Sequence, residues 1–282
     1  MVSEQRFRRV LALSLLAGLA VGCKPDAAVQ QPGIVGRGTA DAKPSANEPQ
    51  TPTADVPVAP TEAVVTQSPG VITGTILFKG KAPTGKIDTS MDPACGFGSL
   101  KGKLPVEQYV VNNGKLANVF IYVKDGPPDA MHGGAVPPQP VELDQTNCEY
   151  VPHVIGVMAG GTVEFRNSDP TMHNIHTTPA SIGNETVDIS ESPRGLPQTK
   201  EFRKPELMIP VRCNNHPWMN AFINVSATPY FAVTDGNGHF DLKGLPPGDY
   251  VIAAVHEKMG EKTMKVTVGS RQVAKAEFSF AQ

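Results

Sequence analysis

Within Val211-Arg212-Cys213-Asn214-Asn215-His216-Pro217-Trp218-Met219, a thiol, an imidazole and a thioether follow one another at intervals of three residues. A second imidazole, His173, stands upstream in Asp169-Pro170-Thr171-Met172-His173-Asn174-Ile175-His176. Two His, one Cys and one weak axial Met make up the ligand set of a copper site that passes electrons. Thiolate and thioether sulfur suit Cu(I) and imidazole suits Cu(II), so one geometry can serve both oxidation states with little rearrangement. Taken singly, Cys213 and His216 say less, because free Cys is usually a small buried hydrophobe and Met is core filler. Zinc asks for further Cys or His at short spacing. The sequence also lacks the Cys-x-x-Cys-His of haem attachment.

These residues need strands to hold them, and the flanking sequence supplies strand-like runs. His173 follows Thr162-Val163-Glu164-Phe165, and Cys213 ends Leu207-Met208-Ile209-Pro210-Val211. His216 and Met219 then occupy the loop before Ala221-Phe222-Ile223-Asn224-Val225. With Tyr150-Val151-Pro152 and Ile155-Gly156-Val157-Met158-Ala159-Gly160-Gly161-Thr162-Val163-Glu164-Phe165-Arg166-Asn167 ahead of His173-Asn174, the stretch resembles the cupredoxins. Its Cys-x-x-His-x-x-Met loop is similar to that of amicyanin rather than plastocyanin, and the resemblance covers about Val141 to Ala227.

The resemblance implies one type 1 copper with His173 and His216 as equatorial nitrogens, Cys213 as thiolate and Met219 as long axial ligand. It further implies that Asn174 ties the two ligand loops together and that electrons pass through a solvent-facing edge of His216. Pro217, lacking an N–H, should stiffen the loop. Trp218 is expected either in an apolar docking patch beside His216 or as a packed loop aromatic. His176 has the opposite strand parity to His173 and should point away from the metal. His132, His153, His239 and His256 sit in isolated turn or apolar contexts and carry no expected metal role.

The first residues read as an address. Arg6, Arg8 and Arg9 precede the apolar run from Val10 to Val21, which ends in Ala20-Val21-Gly22-Cys23. The run is short for a bilayer span, which takes about 20 residues, and small residues before the break suit a signal peptidase. The stretch 1–23 resembles a bacterial lipoprotein signal with Cys23 as the lipidated residue. An ordinary secretory signal with an incidental Cys is the alternative. Lys24 after the Cys favours the outer membrane. Residues 24–69 are rich in Pro, Ala and Thr, without aromatic residues or period. Such a linker cannot bury enough apolar surface to offset its ordering entropy, and as a coil its ends would lie roughly 35–40 Å apart.

Beyond residue 70, short β-branched and aromatic runs bounded by Gly, Pro, Asn and Asp predict an all-β chain. The runs Gly70 to Phe78 and Leu116 to Val123, with Tyr230 to Thr234, Asp235-Gly236-Asn237-Gly238-His239-Phe240 and Pro246-Pro247-Gly248-Asp249-Tyr250, resemble the carboxypeptidase regulatory-like domain. That resemblance implies a small transthyretin-like β-sandwich of 70–127 and 228–282. It would be interrupted by a cupredoxin Greek-key sandwich at 138–227. Two consecutive domains are the other arrangement.

Four cysteines are present. With Cys23 assigned to lipid and Cys213 to copper, Cys95 and Cys148 remain, and in an oxidising compartment that pair is expected to be bonded. Free buried thiols are the alternative. The net charge of −2 carries no blocks of one sign, so no nucleic-acid footprint is visible. Nucleophile–base pairs, paired catalytic carboxylates and phosphate-cradling Gly loops do not stand out, so the expectation is a carrier rather than an enzyme. Its partners would be redox proteins and, through Cys23, a membrane. A copper-handling lipoprotein and a glycan-binding adhesion module are the competing readings.

Overall fold

A computed structural model describes residues 68–96 and 103–282. The expected signal 1–23 with Cys23, and the linker up to residue 67, lie outside the described residues. The described chain is all-β, with helical turns only at Pro93–Gly96, Glu107–Tyr109 and Pro128–Met131.

The first pair of sheets draws on both ends of the described chain. Gly70–Lys79 pairs antiparallel with His239–Leu245 and parallel with Val273–Ala281, and the short strands Lys115–Leu116 and Val111–Asn112 continue that sheet. The facing sheet runs Phe231–Val233, Phe120–Asp125, Gly248–His256, Gly260–Val268. Alternation along Val273–Ala281 sends Ala274, Ala276, Phe278 and Phe280 inward, as a strand with one wet face requires. They meet Ile72, Ile76, Ile121, Val123, Phe240 and Ile252 in one core.

The second pair of sheets is built from Val141 to Ser226. One runs Gln198–Phe202, Gly161–Asn167, Val141–Thr146, Glu149–Val151. Its partner runs Asp188–Glu191, His173–Thr177, Glu206–Arg212, Asn220–Ser226, Val154–Met158. Gly161–Asn167 alternates buried and half-buried residues throughout, and Val163, Phe165, Ile175, Ile209, Val211, Ile223 and Val225 fill a second core that also holds Cys213 and Met219.

The two cores meet through opposite strand faces. Phe120 and Val255 have the other parity from the residues of the first core and are nonetheless buried. Gly156 faces Phe120 and Phe231 so closely that a Cβ there would stand 2.7 Å from the Phe120 ring. Beside this contact His153 is buried, with Nε2 2.9 Å from Glu257 Oε1 and Nδ1 3.4 Å from Glu107 Oε2. Burial pulls its pKa down, but the two carboxylates outweigh that and raise it from 6.5 to about 9. The turn or apolar context that marked His153 as isolated did not reveal these carboxylates.

A histidine raised on folding stabilises fully below its unfolded pKa and loses that contribution as pH rises through the folded one. The stability difference between wild type and His153→Gln is therefore expected to shrink by on the order of 1–3 kcal/mol between pH 6 and 9.5. Denaturant midpoints at the two pH values measure it, and a constant difference would refute the charged bridge.

Candidate metal centre

The loop from Cys213 to Met219 joins Glu206–Arg212 to Asn220–Ser226, whose pairing opposes Arg212 to Asn220. Inside the loop the Met219 N–H donates to the His216 carbonyl at 2.9 Å, and the Cys213 N–H to the Met219 carbonyl at 3.4 Å. His173 opens the strand His173–Thr177, whose far end pairs His176 with Arg212 and Thr177 with Val211, and the Asn174 N–H then reaches Cys213 Sγ. Strand parity decides the rest. His173 turns inward and is wholly buried, while His176 is half-buried on the other face, 3.3 Å from Asp188.

Three donor atoms converge. His173 Nδ1 lies 2.9 Å from His216 Nδ1, and Cys213 Sγ lies 3.6 Å from His216 Nδ1 and 4.0 Å from His173 Nδ1. The outer nitrogens of both rings face carboxylates: His173 Nε2 is 2.8 Å from Asp169 Oδ2, and His216 Nε2 is 2.8 Å from Asp92 Oδ2. A carboxylate only accepts, so each Nε2 must carry a proton and each neutral ring turns its Nδ1 lone pair inward. Two lone pairs 2.9 Å apart, out of water and next to a thiol, repel unless a proton or metal cation lies between them. The donor set thus fits a small soft-to-borderline cation, and copper in particular.

The titration properties agree. Burial opposes ionisation of Cys213, but hydrogen bonds from His173, His216 and the backbone of Asn174 and Asn215 hold its pKa down at about 5. Burial likewise opposes charge on His173, which Asp169 and Cys213 nevertheless raise to about 9, and His216 is raised by Cys213 and Asp92. Two neighbouring groups also bring three donor types together, Asp92 with Cys95 and His216, and Asp169 with Cys148 and His173. Both use a sulfur already committed to the Cys95–Cys148 disulfide, whereas Cys213 is a free thiol.

Outer contacts hold the ligands in place. The Asn174 N–H points at Cys213 Sγ from 3.3 Å, its side-chain oxygen accepts from the Asn214 N–H at 3.4 Å, and its amide donates to Asp188 and the Ile189 carbonyl. Asn147 and Cys148, both at positive φ, form the two-residue turn between Val141–Thr146 and Glu149–Val151. The N–H groups of that turn each donate to the Asp169 carboxylate at 2.7 Å, so the hairpin fixes the group that fixes His173. The Trp218 ring lies 5.1 Å from His216, and its Nε1–H donates to the Cys148 carbonyl. Pro217 is exposed between them. Met219 is buried in the core that holds Cys213.

One expectation is corrected. His216 does not present a solvent-facing edge: it is 3% exposed, because Asp92 from outside the ligand-bearing segment covers its Nε2. Sequence reasoning missed both carboxylates. Asp169, four residues before His173, was within reach of a local reading; Asp92, 124 residues before His216, was brought near only by the expected Cys95–Cys148 bond, which the structure contains, and its contact with the ring carried no signal.

No protein-family model matches the sequence, and no curated protein matches it. Among solved structures, a Cu-containing nitrite reductase (NirK) from Thermus scotoductus SA-01 aligns at 25% identity over 33% of this chain, with a TM-score of 0.29. The alignment spans only 24% of that reductase. A reduced amicyanin mutant aligns at 17% identity over 39% of this chain and 99% of its own, with a TM-score of 0.29. A second amicyanin mutant, with Cu(I), aligns at 16% over 38% and 98%, with a TM-score of 0.28. These partial alignments carry no argument by themselves; the chemistry of the centre rests on its own donors.

Proposed function

We propose that this chain is an exported, lipid-anchored carrier of single electrons that holds one type 1 copper between His173, His216, Cys213 and, axially, Met219. The observation that carries the reading is the buried convergence of two Nδ1 atoms and one low-pKa thiol, with both outer ring nitrogens capped by carboxylates. Copper would supply a one-electron cycle. The protein supplies a preformed donor set, excludes water from it and fixes both tautomers, so that little moves on electron transfer. In this proposal residues 138–227 are the cupredoxin unit, and 70–127 with 228–282 a transthyretin-like sandwich that carries it. Strand pairing of Gly70–Lys79 with Val273–Ala281 across the intervening segment supports that division. Lipid on Cys23 would tether the unit to a membrane and let it reach redox proteins.

Copper handling without electron transfer is a second reading, favoured by a specific feature. Met91 and Met172 are 84% and 50% exposed, and both line the concavity over His216 with Trp218. Exposed thioethers suit incoming Cu(I).

The deciding experiment is a titration of the fragment from Lys24 onward with Cu(II). An intense visible band that saturates at one equivalent, bleaches on reduction and returns on oxidation is expected. Stoichiometric binding without colour would move the reading to copper handling, and absence of binding would overturn both.

A further inference from the structure

The outer edge of His216 is closed by a residue the ligand-bearing segment does not own. We propose that Asp92 is a positioning residue of the metal centre. It turns His216 Nδ1 inward and makes retention and redox preference of the metal depend on a segment outside the ligand-bearing strands. The inference rests on the copper reading above.

Asp92 is itself held firmly. Its Oδ1 accepts the Ala94 N–H at 2.7 Å, and its Oδ2 takes the Thr171 hydroxyl at 3.2 Å together with His216 Nε2 at 2.8 Å. Its carbonyl accepts the N–H groups of Cys95 and Gly96 at 3.0 and 2.8 Å. Cys95 is bonded to Cys148, and Cys148 donates its N–H to Asp169, the cap of the other ligand histidine. One crosslink therefore joins the two carboxylates that orient the two imidazoles. The coupling is geometric: neither ring can turn without moving a group tied to the same hairpin.

The chemical consequence follows from charge. A carboxylate accepting the Nε2 proton makes the imidazole a stronger donor, which favours Cu(II) over Cu(I), and loss of such outer partners costs about 10–100-fold in metal affinity. Asp92→Asn keeps size and an accepting oxygen but removes the charge. It should weaken Cu(II) relative to Cu(I) about tenfold, which for a one-electron couple is about 59 mV upward. Asp92→Ala removes the acceptor altogether and should speed Cu(II) loss to a chelator about tenfold or more. Asp92→Glu should recover part of both. Asp92→Ala also leaves the buried His216 Nε2–H without its acceptor, so the metal-free variant should melt below wild type, with Asp92→Asn, which keeps an accepting oxygen, closer to it.

The experiment is the reduction potential and chelator-release rate of wild type and the three variants, with 15N ring spectra of the metal-free proteins. The proposal expects the potential to rise in Asp92→Asn and the Nε2–H tautomer of His216 to be lost in Asp92→Ala. A normal visible band with unchanged potential, release rate and tautomer overturns it while leaving the copper reading intact. A wild type that binds no copper overturns the copper reading; the positioning role of Asp92 falls with it only if the His216 tautomer in the metal-free protein is also independent of Asp92.

Discussion

Cys213→Ser is expected to abolish the visible band completely while leaving the fold in place. The thiol is buried, and its pKa near 5 reflects hydrogen bonds from both ligand rings and from the backbone of Asn174 and Asn215. Serine fits the same space and accepts the same hydrogen bonds, but its hydroxyl does not ionise at neutral pH, so the one anionic donor is lost. Metal ligands must be deprotonated to bind. Copper affinity should therefore fall by more than the roughly 10–100-fold that follows loss of an outer partner, with Cu(I) losing most because sulfur is its preferred donor. The metal-free variant should also lose a modest amount of stability at neutral pH, because a thiol whose pKa is lowered on folding stabilises the fold above that pKa and serine does not ionise. Titration followed by absorbance and by competition with a Cu(I) chelator measures both halves. A variant that keeps the band would remove Cys213 from the centre.

Asp169→Ala is expected to damage both stability and metal binding, because one carboxylate serves three donors. It accepts from the N–H groups of Asn147 and Cys148 and from His173 Nε2, and it is buried. Truncation leaves those donors in a site largely closed to water, at about 1–3 kcal/mol for each group left unsatisfied. A total loss of about 3–5 kcal/mol is the expected scale for breaking a buried charged network. His173 would also be free to turn, and copper affinity should drop by about 10–100-fold. Chemical denaturation of the metal-free protein isolates the first effect and copper competition the second. Asp169→Asn keeps one accepting oxygen, which in the place of Oδ2 still serves Cys148 and His173 but sets its NH2 against the Asn147 N–H, so it should recover more of the affinity than of the stability. Recovery of stability without affinity would argue that the remaining oxygen serves the hairpin and not the ring.

The ligand loop was legible in the chain because its chemistry is local. Cys213, His216 and Met219 follow one another at a spacing set by a single turn between two strands, and types and intervals suffice to suggest a soft metal. Strand alternation was equally readable in runs such as Gly161–Asn167, where burial changes with every residue. The opposite facing of His173 and His176 follows from the same parity. Pairing is another matter. That Gly70–Lys79 lies parallel to Val273–Ala281 could be suggested only by a family resemblance, since a strand's own residues do not name its neighbour.

What the sequence determined by itself is therefore the kind of chemistry and the kind of secondary structure, both written in residues a few positions apart. Tertiary structure alone decided the surroundings of the centre. The cap on His173 comes from the adjoining loop and is locked by a hairpin turn, while the cap on His216 comes from Asp92 in a segment fastened by Cys95–Cys148. The open histidine edge implied by local resemblance closes for that reason. Long-range hydrogen bonds depend on where separate segments meet in space, and spacing along the chain contains no record of those meetings.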